Sequence, residues 1–395
     1  MKRKGVKGAR RPGLADSIRQ GPLYDGRGRV GMQWRVFVAV WICSGFGAVT
    51  GAVGADKILE KFPVCEASAA LALPCPAGGD GCLLVGDNEQ NEALFAYRIS
   101  KGSLKPAAGF ETSLGGSKVS DIEALASLGN KDILIMGSHS RNTRCEPKEN
   151  RRRFLVARYE AGRLVPKCPA PIQTERIRCQ ELFGDIGRSQ VLRPVCDAID
   201  AADGQADAIV ARLESAKESE RTEAEAQGKA ACNAVGAFNI EGTVGIPRPN
   251  GSEIWVGLRS PLVDAGATRR HAALLRLTGT DRLSFDAGVL LDLGGRGIRD
   301  LTAAGGWLWG IAGPMEDRNE DFHLWRFPLS QLQAGMTLKP AFVRVLPPSS
   351  EGLAFQGSDA YVIIDGDLGD GAGRCATPAK YIRLKGILKT RRRAE

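Results

Sequence analysis

The sequence predicts an all-β chain: a β-propeller of five, or six, four-stranded blades with one helical insertion. Three observations lead there. A unit that starts on a carboxylate recurs. It runs into a short apolar segment, turns, and continues into a second strand that ends in a polar cluster. Its lead acids are Glu66, Glu123, Glu241, Asp300 and Glu351, spaced 57, 118, 59 and 51 residues apart. Repeats of about 40–60 residues built from four short strands are a propeller signature. The strands are short, apolar or alternating, and bounded by Gly, Pro, Asp and Asn. One such sheet cannot bury both faces, so several must stack.

The copies read in order. "CEASAALAL", "CLLVGDNEQNE" and "ALFAYRIS" form the first. "DIEALASL", "DILIMGSHSRN" and "RFLVARYE" form the second. "NIEGTVGI", "EIWVGLRSPL" and "AALLRLTG" form the third. "GIRDLTAA", "WLWGIAGPMED" and "FHLWRFPL" form the fourth, and "SEGLAFQG", "AYVIIDGD" and "YIRLKGIL" the fifth. The double spacing after Glu123 leaves room for a degenerate sixth blade around "RLVPKCPAPIQTERIRCQELFG". It also holds a stretch with Ile199, Ala202, Ala206, Ile209, Val210 and Leu213 on a helical period. That stretch predicts a helical insertion over about 190–232. Residues 56–63 are a candidate closing strand for the last blade.

Charge excludes one class of partner. The formal net charge is +9. Residues 1–55 carry ten Lys or Arg and two Asp or Glu, or +8, which leaves +1 for the rest. The basic balance belongs to the leader, so no nucleic-acid partner is expected. Residues 1–31 read as a basic extension or a start assigned too far upstream. Residues 32–55 read as a signal peptide, with Arg35 before an apolar run and Val53-Gly54-Ala55 as an A-x-A-like cleavage site. The expectation is a periplasmic or secreted single domain over 56–395, monomeric and free of the membrane after cleavage. The alternative is an uncleaved N-terminal anchor, since the apolar run is 18 residues long. Export makes the nine cysteines outside the leader candidates for up to four disulfides and one odd thiol. Cys75 and Cys82 flank a hairpin-like turn and are the easiest pair to bridge.

Several motifs in order resemble one family: "LLVGDNEQNEALFAYRI", "DIEALASLGNKDILIMGSHSRN", "FNIEG", "WVGLRSPL", "LLDLGGRGIRDL", "IAGP" and "EGLAF". The stretch of about 64–370 is similar to the bacterial "domain of unknown function 3616" family. The resemblance implies a propeller-like architecture and supplies no catalytic residues.

Hairpin geometry then gathers the polar residues. In an antiparallel hairpin the start of one strand lies beside the end of the next. Each lead acid therefore shares a face with the polar cluster after its second strand. The expected ring at one channel mouth holds Glu66 with Asp87, Asn88 and Glu89, and Glu123 with His139, Arg141 and Asn142. Glu241 joins Arg259, Arg299 adjoins Asp300, and Glu351 joins Asp365 and Asp367. One reading makes Glu66, Glu123, Glu241, Asp300 and Glu351 ligands for Ca²⁺, a hard cation that takes carboxylate oxygens. His139, Arg259 and Arg299 are then the candidate catalytic groups, with Arg141, Asn142, Asp87 and Glu89 contacting substrate. This predicts a hydrolase of esters, lactones or phosphoesters. The other reading makes the acids ion-pair fixings between blades, in a non-enzymatic binding or scaffolding module for a small-molecule or envelope ligand.

Other motifs carry less. "GSHS" is no nucleophile elbow, and "LGGRG" is a turn rather than a phosphate loop. Trp255, Trp307, Trp309 and Trp325 are expected to pack between blades. The run Arg151-Arg152-Arg153 is expected on the solvated surface.

Overall fold

The computed structural model describes residues 56–59, 64–75, 81–168, 170–189, 192–217, 219, 221–249, 251–264, 270–316, 321–366 and 377–389. The expected signal peptide, Asp367 and Cys375 lie outside the described residues. The chain divides into Met1–Gly51 and Ala52–Glu395, and every described residue belongs to the second unit.

The described residues are mostly β and form five sheets of a β-propeller, antiparallel throughout except for one parallel pair at the edge of the third, Phe285–Leu291 with Thr337–Leu338. Their first strands are Ala67–Leu73, Ile122–Gly129, Asn239–Arg248, Gly297–Ala304 and Ser350–Gln356. These first strands pack on one another in chain order, and the fifth packs on the first. Each sheet then steps outward. The fourth, for example, runs Gly297–Ala304, Trp307–Gly313, Phe322–Pro328 and Ala341–Leu346. The outermost strand of the fifth sheet is Lys57–Ile58, with Lys57 opposite Tyr381. The start of the domain thus completes its last sheet.

Five apolar clusters fill the five gaps between neighbouring sheets. Leu84, Ile122, Leu125 and Ile135 lie between the first and second. Leu134, Phe154, Val256 and Leu275 lie between the second and third. Trp255, Ile298, Leu308 and Trp325 join the third to the fourth. Trp309, Leu324, Leu353 and Val362 join the fourth to the fifth. Val85, Tyr97, Tyr361 and Tyr381 close the fifth on the first. Each fully buried Leu, Ile or Val in these gaps stabilises the fold by about 1.5–3 kcal/mol. Trp255, Trp309 and Trp325 are fully buried. Trp307 is only half-buried and carries the Arg326 guanidinium 4.3 Å above its ring.

No sixth sheet occurs among the described residues. The segment read as a degenerate blade instead places Arg163–Pro166 and Ile172–Gln173 on the edge of the second sheet. It then enters helix α1 at Cys179–Phe183. Two further helices follow, α2 at Arg193–Ser215 and α3 at Arg221–Val235. The insertion therefore starts earlier and ends slightly later than its period suggested. The expected apolar face is seen: Ile199, Ala202, Ala206 and Leu213 are buried.

Disulfides hold the insertion in place. Cys179–Cys196 joins α1 to α2, and Cys145–Cys232 ties α3 to the loop after the second strand of the second sheet. Cys75 and Cys82 are bonded to each other, and Cys65 is also disulfide-bonded. Cys168 is a free, exposed thiol. The middle of the arginine run corrects the expectation of a solvated surface. Arg152 is only 7% exposed, with Nη1 donating to Glu175 O at 2.9 Å. No helix among the described residues is long and apolar enough to cross a membrane.

Candidate functional site

Every first strand carries a β-bulge near its start. Pairing with the second strand skips one residue each time: Ser68, Glu123, Glu241, Arg299 and Glu351. A bulge leaves one residue unpaired and re-aims its side chain. These five residues are the structurally equivalent set at one end of the innermost strands. The sequence frame was therefore offset in two sheets. Glu66 precedes the bulge of the first sheet by two residues, and Asp300 follows that of the fourth by one. Ser68, which carries no acid, is the first sheet's member of the set. Its available signal was the small residue after the bulge, since Ala69, Ala124, Gly242 and Gly352 recur at the next position. The space there is tight. A Cβ on Gly242 would come within 2.9 Å of Leu301 Cγ, and one on Gly352 within 3.0 Å of the Ala70 Cβ.

Four of the five bulge residues are charged and form the site. Arg299 sits between its ring neighbours. Its Nη1 donates to Glu241 Oε2 at 3.0 Å and to Glu351 Oε1 at 3.0 Å, while Nη2 donates to Pro314 O at 2.8 Å. The guanidinium also lies over Phe322, 5.3 Å from the ring centroid. Arg259 reaches Glu241 from the second strand of the third sheet. Its Nη1 donates to Glu241 Oε1 at 2.8 Å and its Nε to Met315 O at 2.8 Å. Asn239 Nδ2 is a second donor to Glu241 Oε1, at 3.0 Å. Ser68 Oγ donates to Ile122 O and so bonds the first inner strand to the second.

Glu123 differs from the other acids of the set. It is 8% exposed and has no hydrogen-bond or ion-pair partner among the described residues. Its carboxyl is pushed well above the usual carboxylate range. Burial is the main cause, followed by the charges of Glu241, Asp121 and Glu351, with Arg259 opposing. In a low-dielectric site a carboxyl beside other carboxylates keeps its proton. Glu241 and Glu351 face Arg259 and Arg299, two acids against two guanidiniums, and Glu123 stands outside that pairing.

Asp300, an expected metal ligand, and Asp87, an expected substrate contact, are tied into the backbone. Asp300 is fully buried, and it accepts from Leu301 N at 2.7 Å and Leu353 N at 2.6 Å. Burial raises its pKa well above the ordinary value, against the backbone N–H bonds of Leu353, Leu301 and Ala70. Asp300 thus fastens the fourth inner strand to the fifth. Asp87 accepts from the backbone N–H groups of Cys65, Glu66 and Glu89 at 3.0, 3.2 and 3.0 Å, which fixes the entry to the first inner strand. Glu66 is half-buried and Glu89 is exposed. Neither Asp87 nor Glu89 occupies a bulge position. Asp365 meets the same end of the fifth sheet through its backbone, donating from N to Ser349 O at 2.8 Å.

The fit to calcium fails on this donor chemistry. A Ca²⁺ ion takes six to eight oxygens. The oxygens of Glu241, Asp300 and Asp87 already accept from guanidinium, carboxamide or backbone N–H groups, and Glu351 is paired with Arg299. Arg259 and Arg299 bring two positive charges to the same mouth. Among the described residues no group of three or more His, Cys, Asp or Glu is placed to hold a metal ion.

Three further residues expected at the mouth have structural partners. His139 is 1% exposed, with Nδ1 donating to Gly137 O at 2.8 Å and Nε2 3.2 Å from Thr174 Oγ1. Burial pushes its pKa down to about 4, so it is neutral, partnered and closed to solvent. This is the environment of a packed histidine rather than of a general base. Arg141 bonds the insertion, donating from Nε to Asp203 Oδ1 at 3.1 Å and from Nη2 to Asp207 Oδ1 at 2.7 Å. Asn142 shapes its own loop, since Oδ1 accepts from Arg144 N at 3.0 Å and Glu146 N at 2.9 Å. These two anchor α2 and the loop disulfide. They are absent from the ring because the polar cluster of the second sheet is consumed by the helical insertion.

The chain matches no family model and no curated protein sequence. It is similar to solved structures. The PQQ-bound aldose sugar dehydrogenase of Streptomyces coelicolor shares 13% identity over 84% of this chain and 97% of that one, with a TM-score of 0.34. Regucalcin from Agrobacterium tumefaciens, described as a calcium-binding protein, shares 12% over 84% and 95%, with a TM-score of 0.36. A GH43_1 enzyme from Xanthomonas citri shares 8% over 84% and 90%, with a TM-score of 0.41. Scores this low carry no argument about activity, so the function rests on this chain's own residues.

Proposed function

We propose that this chain is an exported, monomeric, five-bladed β-propeller hydrolase. Its site is the channel mouth at the five bulge residues, and its substrates are esters, lactones or phosphoesters. The observation that carries the reading is Glu123, a buried carboxyl without a partner beside two carboxylates paired with arginine. A carboxyl whose buried environment raises its pKa, set beside charged groups, is a candidate general acid. Water would add to the carbonyl or phosphoryl centre and release its proton to solvent, the bond to the leaving oxygen would break as Glu123 gives that oxygen a proton, and Glu123 would regain one from solvent. Arg259 and Arg299 would offset the charge that develops on the substrate oxygen. The closure of the first strands on one another supports five blades. The disulfides and the leader support export to an oxidising compartment. The quoted motifs support placing the chain with the domain of unknown function 3616 family.

A second reading has its own observation. Glu241, Glu351, Arg259 and Arg299 already satisfy one another, and the network joins three sheets without a substrate. A binding or scaffolding module needs no more than that. The test is a panel of esters, lactones and phosphoesters assayed with the wild type and Glu123→Gln, after both are shown to be folded. Turnover that falls by about a hundredfold or more in Glu123→Gln supports the hydrolase. No turnover by the wild type, or equal turnover by the variant, overturns it and leaves the binding module.

A further inference from the structure

A second cleft lies at the other end of the innermost strands. A crevice of about 430 Å³ opens between the first and second sheets, where Leu71, Ala72, Leu73 and Pro74 face the hairpin Gly129–Asp132, Ile133 and Tyr159. That volume is within the range of small-molecule sites, which are apolar clefts with a few placed polar groups. The walls are aliphatic. Three polar groups at the crevice have no side-chain hydrogen-bond or ion-pair partner among the described residues: the Lys131 ammonium, the Tyr159 hydroxyl and the neutral Asn130 carboxamide. The acid at the crevice, Asp132, is already held by Arg158 Nε at 2.8 Å and Lys167 Nζ at 3.0 Å. A free cation and a phenol O–H therefore border an aliphatic cleft whose own acid is neutralised.

We infer that this crevice binds a free aliphatic monocarboxylate. The chain would lie along Leu71, Leu73, Pro74 and Ile133, with its carboxylate at Lys131 and Tyr159. Each buried methylene contributes about 0.8 kcal/mol, and a charge-assisted hydrogen bond fixes the head. The ligand is a monoanion because one cation is free. It is aliphatic because, among the described residues, no aromatic face other than Tyr159 borders the cleft, and that ring already stacks on Phe110 with centroids 5.1 Å apart. The site is separate from the bulge ring and does not depend on the hydrolase reading.

Decanoate is the probe, titrated into the mature chain by calorimetry, with decanol and decyltrimethylammonium as controls. Saturable decanoate binding is expected, with each control at least about tenfold weaker. Lys131→Glu, on an exposed turn, should weaken decanoate by about tenfold or more and leave the midpoint of unfolding unchanged. Ala72→Phe, which fills the crevice, should abolish binding. Absence of saturable binding to the folded wild type overturns the inference. Equal affinity for decanol, or unchanged affinity in Lys131→Glu, also overturns it, because the apolar wall alone would then explain the uptake.

Discussion

Arg299 Nη1 lies 3.0 Å from Glu241 Oε2, and the two residues occupy the same bulge position in adjacent sheets. The arginine side chain is 5% exposed and the glutamate 2%. The pair, with Glu351 on the other side, links the third, fourth and fifth sheets at the axis. A buried ion pair is no guarantee of net stability, but removing one partner strands the other.

Arg299→Met should therefore destabilise the fold by about 3–5 kcal/mol, since it leaves two carboxylates facing an apolar side chain. Adding Glu241→Gln and Glu351→Gln to that variant should recover most of the loss. Urea unfolding of the single and triple variants measures both. A single variant within 1 kcal/mol of the wild type would mean that the network adds nothing to the joint between sheets.

Glu123 imposes a pH dependence of definite sign. Its folded pKa is raised, with burial the main cause. The stabilising contribution is then complete below the unfolded value of about 4.3 and is lost as pH rises through the folded value. Glu123→Gln removes the titration and keeps the shape. The variant should match the wild type at pH 4 and become progressively more stable than it toward pH 9. A constant difference across that range would show that folding leaves the Glu123 carboxyl at its unfolded value.

His139 titrates with the opposite consequence. Its folded pKa falls to about 4 because the ring is buried. A depressed histidine contributes stability that is present above the unfolded value of about 6.5 and lost as pH falls toward the folded one. The loss between those limits amounts to roughly 3 kcal/mol. Denaturant curves at half-unit steps from pH 7 to pH 4 should show it, and His139→Gln should flatten the slope while lowering stability at pH 7. An unchanged slope in the variant would assign the acid sensitivity to other groups.

Chelation is expected to change nothing at the mouth. A ligand that binds only the native state raises its stability by mass action. Because Glu241, Glu351 and Asp300 are taken by arginine and backbone donors, the melting midpoint of the chain should be the same in EDTA and in millimolar calcium. A calcium-dependent rise that Glu241→Gln abolishes would require the arginines to move aside for a cation.

The repeat was legible because strand length, turn residues and spacing are local properties. All five first strands were found, and residues 56–63 do supply the closing strand, Lys57–Ile58. The register was less legible. A bulge inserts one residue without a compositional mark, so Glu66 and Asp300 were aligned with acids that stand at different positions in the pleat. Glu123, Glu241, Arg259, Arg299 and Glu351 were nonetheless all singled out. What could not be read was their pairing, because it depends on which sheets are neighbours across the axis. The roles of His139, Arg141 and Asn142 were hidden for a further reason: their partners Thr174, Asp203 and Glu146 include residues of the insertion and its approach, whose docking site no periodicity reveals.

That docking makes the Cys145–Cys232 disulfide the most informative bond to remove. It closes 87 residues of sequence and holds α3 against the loop that carries Arg141 and Asn142. The small cluster beneath it contains Cys145, Ala206 and Cys232 with Ile209, Val210 and Val235 packed around them. So few apolar residues hold the α2–α3 pair weakly without the cross-link. In the chain-entropy account a bridge of this length stabilises the fold by roughly 4 kcal/mol. Cys145→Ala with Cys232→Ala should lower global stability by up to that amount. It should also raise hydrogen exchange across α3 and 139–147 before it does so in Ile122–Gly129 or Asp132–Gly137. Local opening confined to the insertion would show that it is a separately stable unit clamped onto the propeller. Uniform acceleration through the second sheet would show instead that the insertion is part of that sheet's cooperative core.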